Sequence, residues 1–410
     1  MLSIRPFARE FRSALIACLR TFSREPLRFH LAQTAFEAGR YRNALSHFRG
    51  RYRNPKMQAR SLQMQDWIAF HLGDFSSGWP RYPKSDFDEP IRSANLAIPV
   101  EICSDNEIHV VDPRSPSELT TKLGLRWIKS EIELRQRNPA GSVVVWFNFK
   151  DSLGGEILVS RLINLLKSRY ELPLVLACNP RLKTLLQASF PDCQVIGSKD
   201  DLSDLALQCS HYVLARDLLK ILIQHEADFA AISSETLRVP HFVNQRLDES
   251  VGSVRSRPNI AISWKTTNRA QGRRRNLKLE RFAKTLARKD AIWHVAQHGE
   301  ITDDIRLLRH FAPNAMILEN TIDPKGDMLT LAASLLKMDA VLTIDNTLLH
   351  LAGGLGVPTL AMIAIPAYWA WPSHGKSSRW YDSVQIIRQS RPGVWTDVLD
   401  AIDRALGELS

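Results

Sequence analysis

No stretch of the sequence approaches about 18 unbroken apolar residues, which excludes a membrane-spanning helix. Cysteine is scarce: the five thiols, Cys18, Cys103, Cys178, Cys193 and Cys209, are odd in number and show no Cys-x-x-Cys spacing. Neither a zinc site nor a disulfide framework is expected, and a reducing, cytoplasmic setting suits such a chain. The opening residues, MLSIRPFAREFRSALIACLRTFSREPLRF, lack an uninterrupted apolar core and a small-residue cleavage site, so they do not read as a secretory signal. They read as a packed helix, or as a basic amphipathic helix in peripheral contact with a membrane, there the inner membrane. What the chain does have is an ordinary globular balance, with 44% hydrophobic and 24% charged residues, which excludes a mostly disordered chain. Its 410 residues allow two or three domains. The formal net charge of +11 suits an acidic partner: phosphates, nucleic acid or anionic headgroups.

Three parts follow one another. Residues 1–95 read as helices, in which Gly39, Tyr41, Ala44 and Leu45 recur 34 positions later as Gly73, Phe75, Gly78 and Trp79. That period is the tetratricopeptide one: a glycine ends a helix in a left-handed conformation, an aromatic packs onto the neighbouring pair, and a small residue lets helices approach. A chance resemblance between two helical hairpins is the plainer alternative. Residues 80–97, polar and with three prolines, read as a linker. In residues 96–255 strands and helices alternate, with strands at 143–149, 172–178 and 194–197 and helices at 157–169 and 181–190. A stretch near 252–258 marks a boundary, and the alternation restarts in residues 256–410. There strands fall at 260–264, 292–296, 315–318, 340–344 and 358–363, and helices at 279–288, 303–311, 327–337 and 347–355. The fold class is therefore α/β, two open Rossmann-like domains facing a cleft, with a helical segment before them.

Four segments could carry chemistry. In Leu342-Thr343-Ile344-Asp345-Asn346-Thr347-Leu348-Leu349-His350-Leu351-Ala352-Gly353-Gly354 a buried strand runs straight into a helix. The first N–H groups of that helix suit a diphosphate, with Asp345 or Thr347 as the cap and His350 within reach of a phosphate or sugar hydroxyl. A well-capped structural helix with a satisfied histidine accounts for the same residues. The second segment, Trp264-Lys265-Thr266-Thr267-Asn268 and then Gly272-Arg273-Arg274-Arg275-Asn276, puts three arginines beyond a strand end, where they suit a diphosphate or simply a solvated loop. The third, Lys150-Asp151-Ser152-Leu153-Gly154-Gly155-Glu156, carries two candidate general bases, Asp151 and Glu156, in a loop that is not Gly-x-Gly-x-x-Gly. Glu156 also reads as a helix N-terminal charge. The fourth, Tyr368-Trp369-Ala370-Trp371 with Ser378-Arg379-Trp380-Tyr381, offers aromatic faces to sugars or bases, or pins a crossover to the core. Basic residues are dispersed rather than interleaved with aromatics, so no nucleic-acid partner is expected.

Together these motifs resemble a known family. Helices ending in Gly73-Asp74-Phe75-Ser76-Ser77-Gly78-Trp79, then two Rossmann-like domains with the Asp345…His350-Leu351-Ala352-Gly353 loop, are similar to the bacterial tetratricopeptide-repeat glycosyltransferases. These are relatives of the ADP-heptose:lipopolysaccharide heptosyltransferases of glycosyltransferase family 9, with a GT-B fold. The resemblance runs from about residue 36 to 395 and is most specific at His350–Gly353, Trp369, Trp371, Trp380-Tyr381 and Arg388-Gln389. It implies that Asp345, Asn346, Thr347 and His350 line a donor diphosphate site whose other wall is Trp264, Lys265 and Arg275. It places Gln297 near the donor, with Asp327 and Thr330 opening the preceding helix. The family's Gly-Leu-Gly-Asp-Glu loop is Ser152-Leu153-Gly154-Gly155-Glu156 here, so Gly155 stands at the aspartate and the base is Glu156, Asp151 or absent. Ala370 replaces an arginine between two tryptophans, and Tyr368 the aspartate before them.

The resemblance implies a cytoplasmic glycosyltransferase, inverting and metal-independent. The nucleotide-diphosphate sugar is a co-substrate, no resident cofactor is implied, and the acceptor is a protein or a lipid-linked glycan chosen by the helical segment. Glu156 or Asp151 would deprotonate the acceptor, while Lys265, Arg275 and the helix start at Thr347 would stabilise the departing diphosphate. One alternative is a non-catalytic, degenerate nucleotide-binding scaffold acting through its helical surface. Another is a sugar-nucleotide epimerase.

Overall fold

The computed structural model describes residues 24–75, 125–136, 141–147, 153–197, 209–232, 236–240, 243, 257–267, 269–319 and 328–407. Asp151, Asp327, Asn268, the 80–97 linker and most of the 252–258 boundary lie outside them. The described residues form two compact units. One combines the helices of residues 24–75 with Ile365–Gly375 and Ser390–Gly393; the other contains the rest.

The helical unit is built from α1 (Arg24–Glu37), α2 (Tyr41–Phe48) and α3 (Pro55–Leu72). Gly39 and Gly73 take left-handed φ values of 72° and 80°. The same pair of bonds closes α1 and α3: Gly39 N and Arg40 N donate to Phe36 O and Ala35 O, and Gly73 N and Asp74 N to Phe70 O and Ala69 O. Glycine takes that conformation with the least strain, which accounts for its return at 34 positions. The aromatic two residues further on is buried in each case. Tyr41 stacks on His71 at 4.3 Å, and Phe75 packs on Phe70 at 6.2 Å.

The aromatic stretch enters this unit and closes its core. Tyr368 meets the Trp67 edge, Trp369 lies 5.6 Å from Phe70, and Trp371 O is 3.1 Å from His71 Nδ1. Trp369, Ala370 and Trp371 are buried, as are Trp380 and Tyr381 in the other unit. Rings so enclosed offer no face to a sugar or base; the pinning alternative is the one observed. Ala370, where the resemblance expects an arginine, is buried as well.

The α/β unit holds two sheets, parallel throughout. The first comprises β1 (Arg126–Trp127), α4 (Glu131–Gln136), β2 (Ser142–Trp146), α5 (Leu153–Ser160), α6 (Leu162–Tyr170), β3 (Leu174–Ala177), α7 (Lys183–Ser189), β4 (Gln194–Ile196), β5 (Cys209–Leu214) and α8 (Asp217–Leu222). Its strand order is β1-β5-β2-β3-β4. The second comprises β6 (Asn259–Ser263), α9 (Arg269–Arg275), α10 (Leu279–Ala287), β7 (Ile292–Val295), α11 (Thr302–Phe311), β8 (Met316–Leu318), α12 (Met328–Leu335), β9 (Ala340–Ile344), α13 (Thr347–Gly354), β10 (Thr359–Ile363), β11 (Val384–Arg388) and α14 (Thr396–Gly407). Its order is β11-β10-β9-β6-β7-β8.

Central strands such as β3 and β9 are buried along their whole length, as a sheet covered on both faces requires. In the second sheet the chain winds outward from β6 to β8, then restarts at β9 on β6's other side. Ligands of open parallel sheets bind beyond the strand ends at such a reversal. Three expectations change. The helix at 157–169 is two helices, α5 starting at Leu153 and α6 after a break at Arg161. The three arginines lie in the helix α9, not in a loop. A further strand, β11, follows the aromatic stretch, which therefore precedes the last strand of the sheet.

Candidate functional site

The loops leaving β6, β7 and β9 at the reversal are tied together by a chain of side chains. Thr343 Oγ1 donates to Asn346 Oδ1 at 3.1 Å, Asn346 Nδ2 to Ser263 Oγ at 2.7 Å, and Ser263 Oγ to Gln297 Oε1 at 3.1 Å. Gln297 then holds the β6 loop as a clamp. Its Oε1 accepts from Trp264 N and Lys265 N, both at 2.9 Å, and its Nε2 donates to Lys265 O at 3.0 Å and His298 O at 2.7 Å. A buried amide satisfied in this way fixes loop backbone. Asn276 Oδ1 adds a bond from Thr266 N at 2.8 Å. Ser263 escaped the sequence reading because a single small polar residue at a strand end carries no periodic signal, and Asn276 stood in the second segment without a role of its own.

At the end of β9, Asn346 is the helix cap: its Oδ1 accepts from Leu348 N at 3.0 Å and Leu349 N at 3.4 Å. Neither Asp345 nor Thr347 caps α13, contrary to expectation, and the reason is local. Asp345 is engaged by Arg275, whose Nη2 lies 3.0 Å from Asp345 Oδ2 and whose Nη1 donates to Asp345 O at 2.9 Å. Arg275 thus grips the strand end by side chain and backbone together. Thr347 opens α13 and is only half-buried.

Trp264 and Lys265 share one carboxylate. Trp264 Nε1 donates to Asp304 Oδ2 at 2.9 Å, and Lys265 Nζ lies 2.7 Å from the same oxygen while donating to Glu300 O at 2.5 Å. The Trp264 ring is buried beside Phe282. Of this wall, only the Lys265 and Arg275 side chains keep appreciable exposure, 25% and 19%.

His350 is buried, and burial pushes its pKa down to about 4, so the ring is neutral near pH 7. Asp345 opposes that shift and Arg275 reinforces it. Its Nδ1 is 3.0 Å from the Tyr381 hydroxyl and its Nε2 is 4.0 Å from Asp345 Oδ1. Burial raises the Tyr381 pKa, keeping the phenol protonated, and the Arg161 guanidinium lies over its ring at 4.6 Å. Tyr381 was visible only as part of an aromatic cluster, and Arg161 gave no sign in the sequence.

From the first sheet, α5 reaches this place. Gly154 is buried against α13: a Cβ there would stand 2.7 Å from His350 Cδ2 and 3.4 Å from Thr347 Cα. Two segments nearly 200 positions apart in the sequence, each singled out as chemical, are therefore in contact. Glu156, two residues beyond Gly154, is buried, and its Oε2 accepts from Asn179 N at 2.9 Å. Among the described residues no three His, Cys, Asp or Glu side chains gather as metal ligands.

Neither a protein-family model nor a curated protein matches the chain. Among solved structures it is similar to a glycosyl transferase family 9 protein from Veillonella parvula DSM 2008, at 11% identity and a TM-score of 0.47, over 66% of this chain and 98% of that one. It is also similar to E. coli ADP-heptose lps heptosyltransferase II, at 12% identity and a TM-score of 0.45, over 65% and 99%. E. coli heptosyltransferase WaaC with ADP-2-deoxy-2-fluoro heptose gives 11% identity and a TM-score of 0.41, over 65% and 100%. Likenesses this loose carry nothing about chemistry.

Proposed function

We propose that the protein is a GT-B glycosyltransferase that takes a nucleotide-diphosphate sugar at the ends of β6, β7 and β9 and delivers the sugar to a protein or glycan acceptor. The supporting observation is the contact of α5 with α13. It brings Gly154, at the start of α5, against Thr347 and His350 at the helix start expected to face the diphosphate. In this reading the start of α13 at Thr347, with Arg275 and Lys265, stabilises the leaving diphosphate, and these groups supply the charge a metal would otherwise bring. Asp345 is held in place by Arg275, and His350, neutral near pH 7, adds no positive charge beside it.

The base of this inverting displacement is Asp151 rather than Glu156. Glu156 is buried with one oxygen committed to the Asn179 amide, whereas Asp151 belongs to the sequence between β2 and α5. The acceptor hydroxyl loses its proton to Asp151 as its oxygen bonds the anomeric carbon, and the diphosphate leaves with the electrons of the broken C–O bond. Asp151→Asn leaves nucleotide binding intact and stops transfer; Glu156→Gln leaves transfer measurable.

A second reading has its own observation. Both cations of the site already face carboxylates, Lys265 with Asp304 and Arg275 with Asp345, which suits a binding protein without turnover. Calorimetric titration with ADP, UDP and GDP, with and without magnesium, tests both. The transferase reading expects one nucleotide to bind selectively without metal, binding to fall at least about tenfold in Arg275→Ala and Asp345→Asn, and sugar release from the matching donor. Binding without release from any donor favours the second reading. No binding by the folded wild-type chain removes both.

A further inference from the structure

Contrary to the expectation of dispersed basic residues, the net positive charge of this chain is concentrated at one end of the sequence. Its first 60 residues contain thirteen Lys and Arg against three Asp and Glu, ten of the eleven net charges; the other 350 residues are almost neutral. Twelve of the thirteen are arginine. Between Arg40 and Arg60 there is no acidic residue at all.

The helical unit displays this charge outward. In α2, Tyr41, Ala44 and Phe48 are buried, which turns Arg42, Ser46 and Arg49 to the opposite, exposed face at helical spacing. Arg40 precedes that helix. Arg51 and Arg53 occupy the turn after it, and Lys56 lies in the first turn of α3; all are exposed. Glu25 accepts from the Arg53 backbone N–H at 2.9 and 3.0 Å.

Among the described residues, the aromatics of the same segment are turned inward. Phe29, Phe36, Tyr41, Phe48 and Tyr52 are buried in ring-to-ring contacts. A face with cations and no exposed aromatic lacks the stacking platforms that single-stranded nucleic acid requires and the apolar anchors that dominate protein interfaces. What it fits is a surface of phosphates met by charge alone. Clustered cations near a bilayer surface are attracted to anionic headgroups by about 1 kcal/mol each, an attraction that salt screens.

We propose that the face formed by Arg40, Arg42, Arg49, Arg51, Arg53 and Lys56 is a docking surface for anionic phospholipid bilayers. This holds whether or not the α/β unit transfers a sugar. The full-length protein is sedimented with vesicles of phosphatidylcholine containing phosphatidylglycerol, with pure phosphatidylcholine vesicles, and over about 0.05 to 0.5 M salt; a short duplex DNA is titrated in parallel.

The wild-type chain is expected to bind the anionic vesicles at least about tenfold better than the neutral ones and to be released by salt. The variant carrying Arg42→Gln, Arg49→Gln, Arg51→Gln and Arg53→Gln is expected to lose at least about tenfold in binding with its circular dichroism unchanged. Should that variant not fold, Arg42→Gln with Arg49→Gln, both on the solvent face of α2, decides with a smaller loss. Equal binding to both vesicle types, wild-type binding by the variant, or tighter binding to the duplex than to anionic vesicles overturns the proposal.

Discussion

His350 is a base held without its proton. Its pKa of about 4, against 6.5 ordinarily, follows first from burial, with Asp345 opposing and Arg275 reinforcing the shift. The unfolded chain takes up this proton near pH 6.5 and the folded chain only near pH 4. The contribution to stability is therefore whole above about pH 6.5 and is lost as the pH falls through that window, by about 3 kcal/mol in total. Burial lowers the pKa of His294 too, so the wild-type slope contains both. His350→Gln, which keeps a polar group opposite Tyr381, isolates the difference. The urea midpoint of the wild-type chain is expected to fall more steeply than the variant's between pH 6.5 and 4, and parallel curves would show that His350 is charged or exposed. The sequence marked Asp345 and His350 as chemical because they sit where a buried strand runs into a helix whose first N–H groups suit a diphosphate. It left open which partners they have, since Arg275, 70 positions away, and Tyr381, 31 positions away, reach them only through the tertiary fold.

Between elements, the decisive contact is that of α5 with α13. Alanine is favoured over glycine inside a helix by about 1 kcal/mol, so Gly154→Ala in α5 would stabilise an isolated helix. Here the added methyl would lie 2.7 Å from His350 Cδ2, with Thr347 Cα 3.4 Å away. The ring is locked by Tyr381 and cannot turn aside, and overpacking of this kind costs about 1–3 kcal/mol. Gly154→Ala is expected to lower the thermal midpoint by several degrees and to weaken whatever binds at Thr347. An unchanged or raised midpoint would mean that α5 and α13 are not in contact. The strands that flank this contact were legible, because a parallel strand buried on both faces is a continuous apolar run, as in β2, β3, β6, β9 and β10. Those that escaped are the ones physics makes faint: β1 is two residues long, β5 begins with Cys-Ser-His, and β11 sits at a sheet edge with Gln385 exposed. The break at Arg161 was hidden because the apolar period runs through it. Charge alone could not tell the helix α9 from a loop.

For the molecule as a whole, the sequence reads as three parts in succession with a linker at 80–97. The folded chain does not divide so simply. Ile365–Gly375 belongs to the helical unit, with Trp369 and Trp371 buried there and Ser373 N donating to His71 O at 3.1 Å. Gly39 is part of the same enclosure: a Cβ at its left-handed position would stand 2.9 Å from Ile365 Cγ2. No local pattern foretold this, because the partners, His71 and Trp371, are 300 positions apart. Burying a large apolar side chain contributes about 1.5–3 kcal/mol, so uncovering the two tryptophans alone removes about 3–6 kcal/mol, a large share of the stability of an ordinary domain. A chain of residues 96–410 is therefore expected to bind a hydrophobic dye, to melt well below the full-length protein or without a cooperative transition, and to precipitate on concentration. Trp369→Ser with Trp371→Ser in that shortened chain should reduce the dye binding, since it removes the uncovered apolar surface. If the shortened chain instead melts as sharply and at the same temperature as the full-length protein, the aromatic segment does not depend on the helices, and the three parts are as separable as their order along the chain suggests.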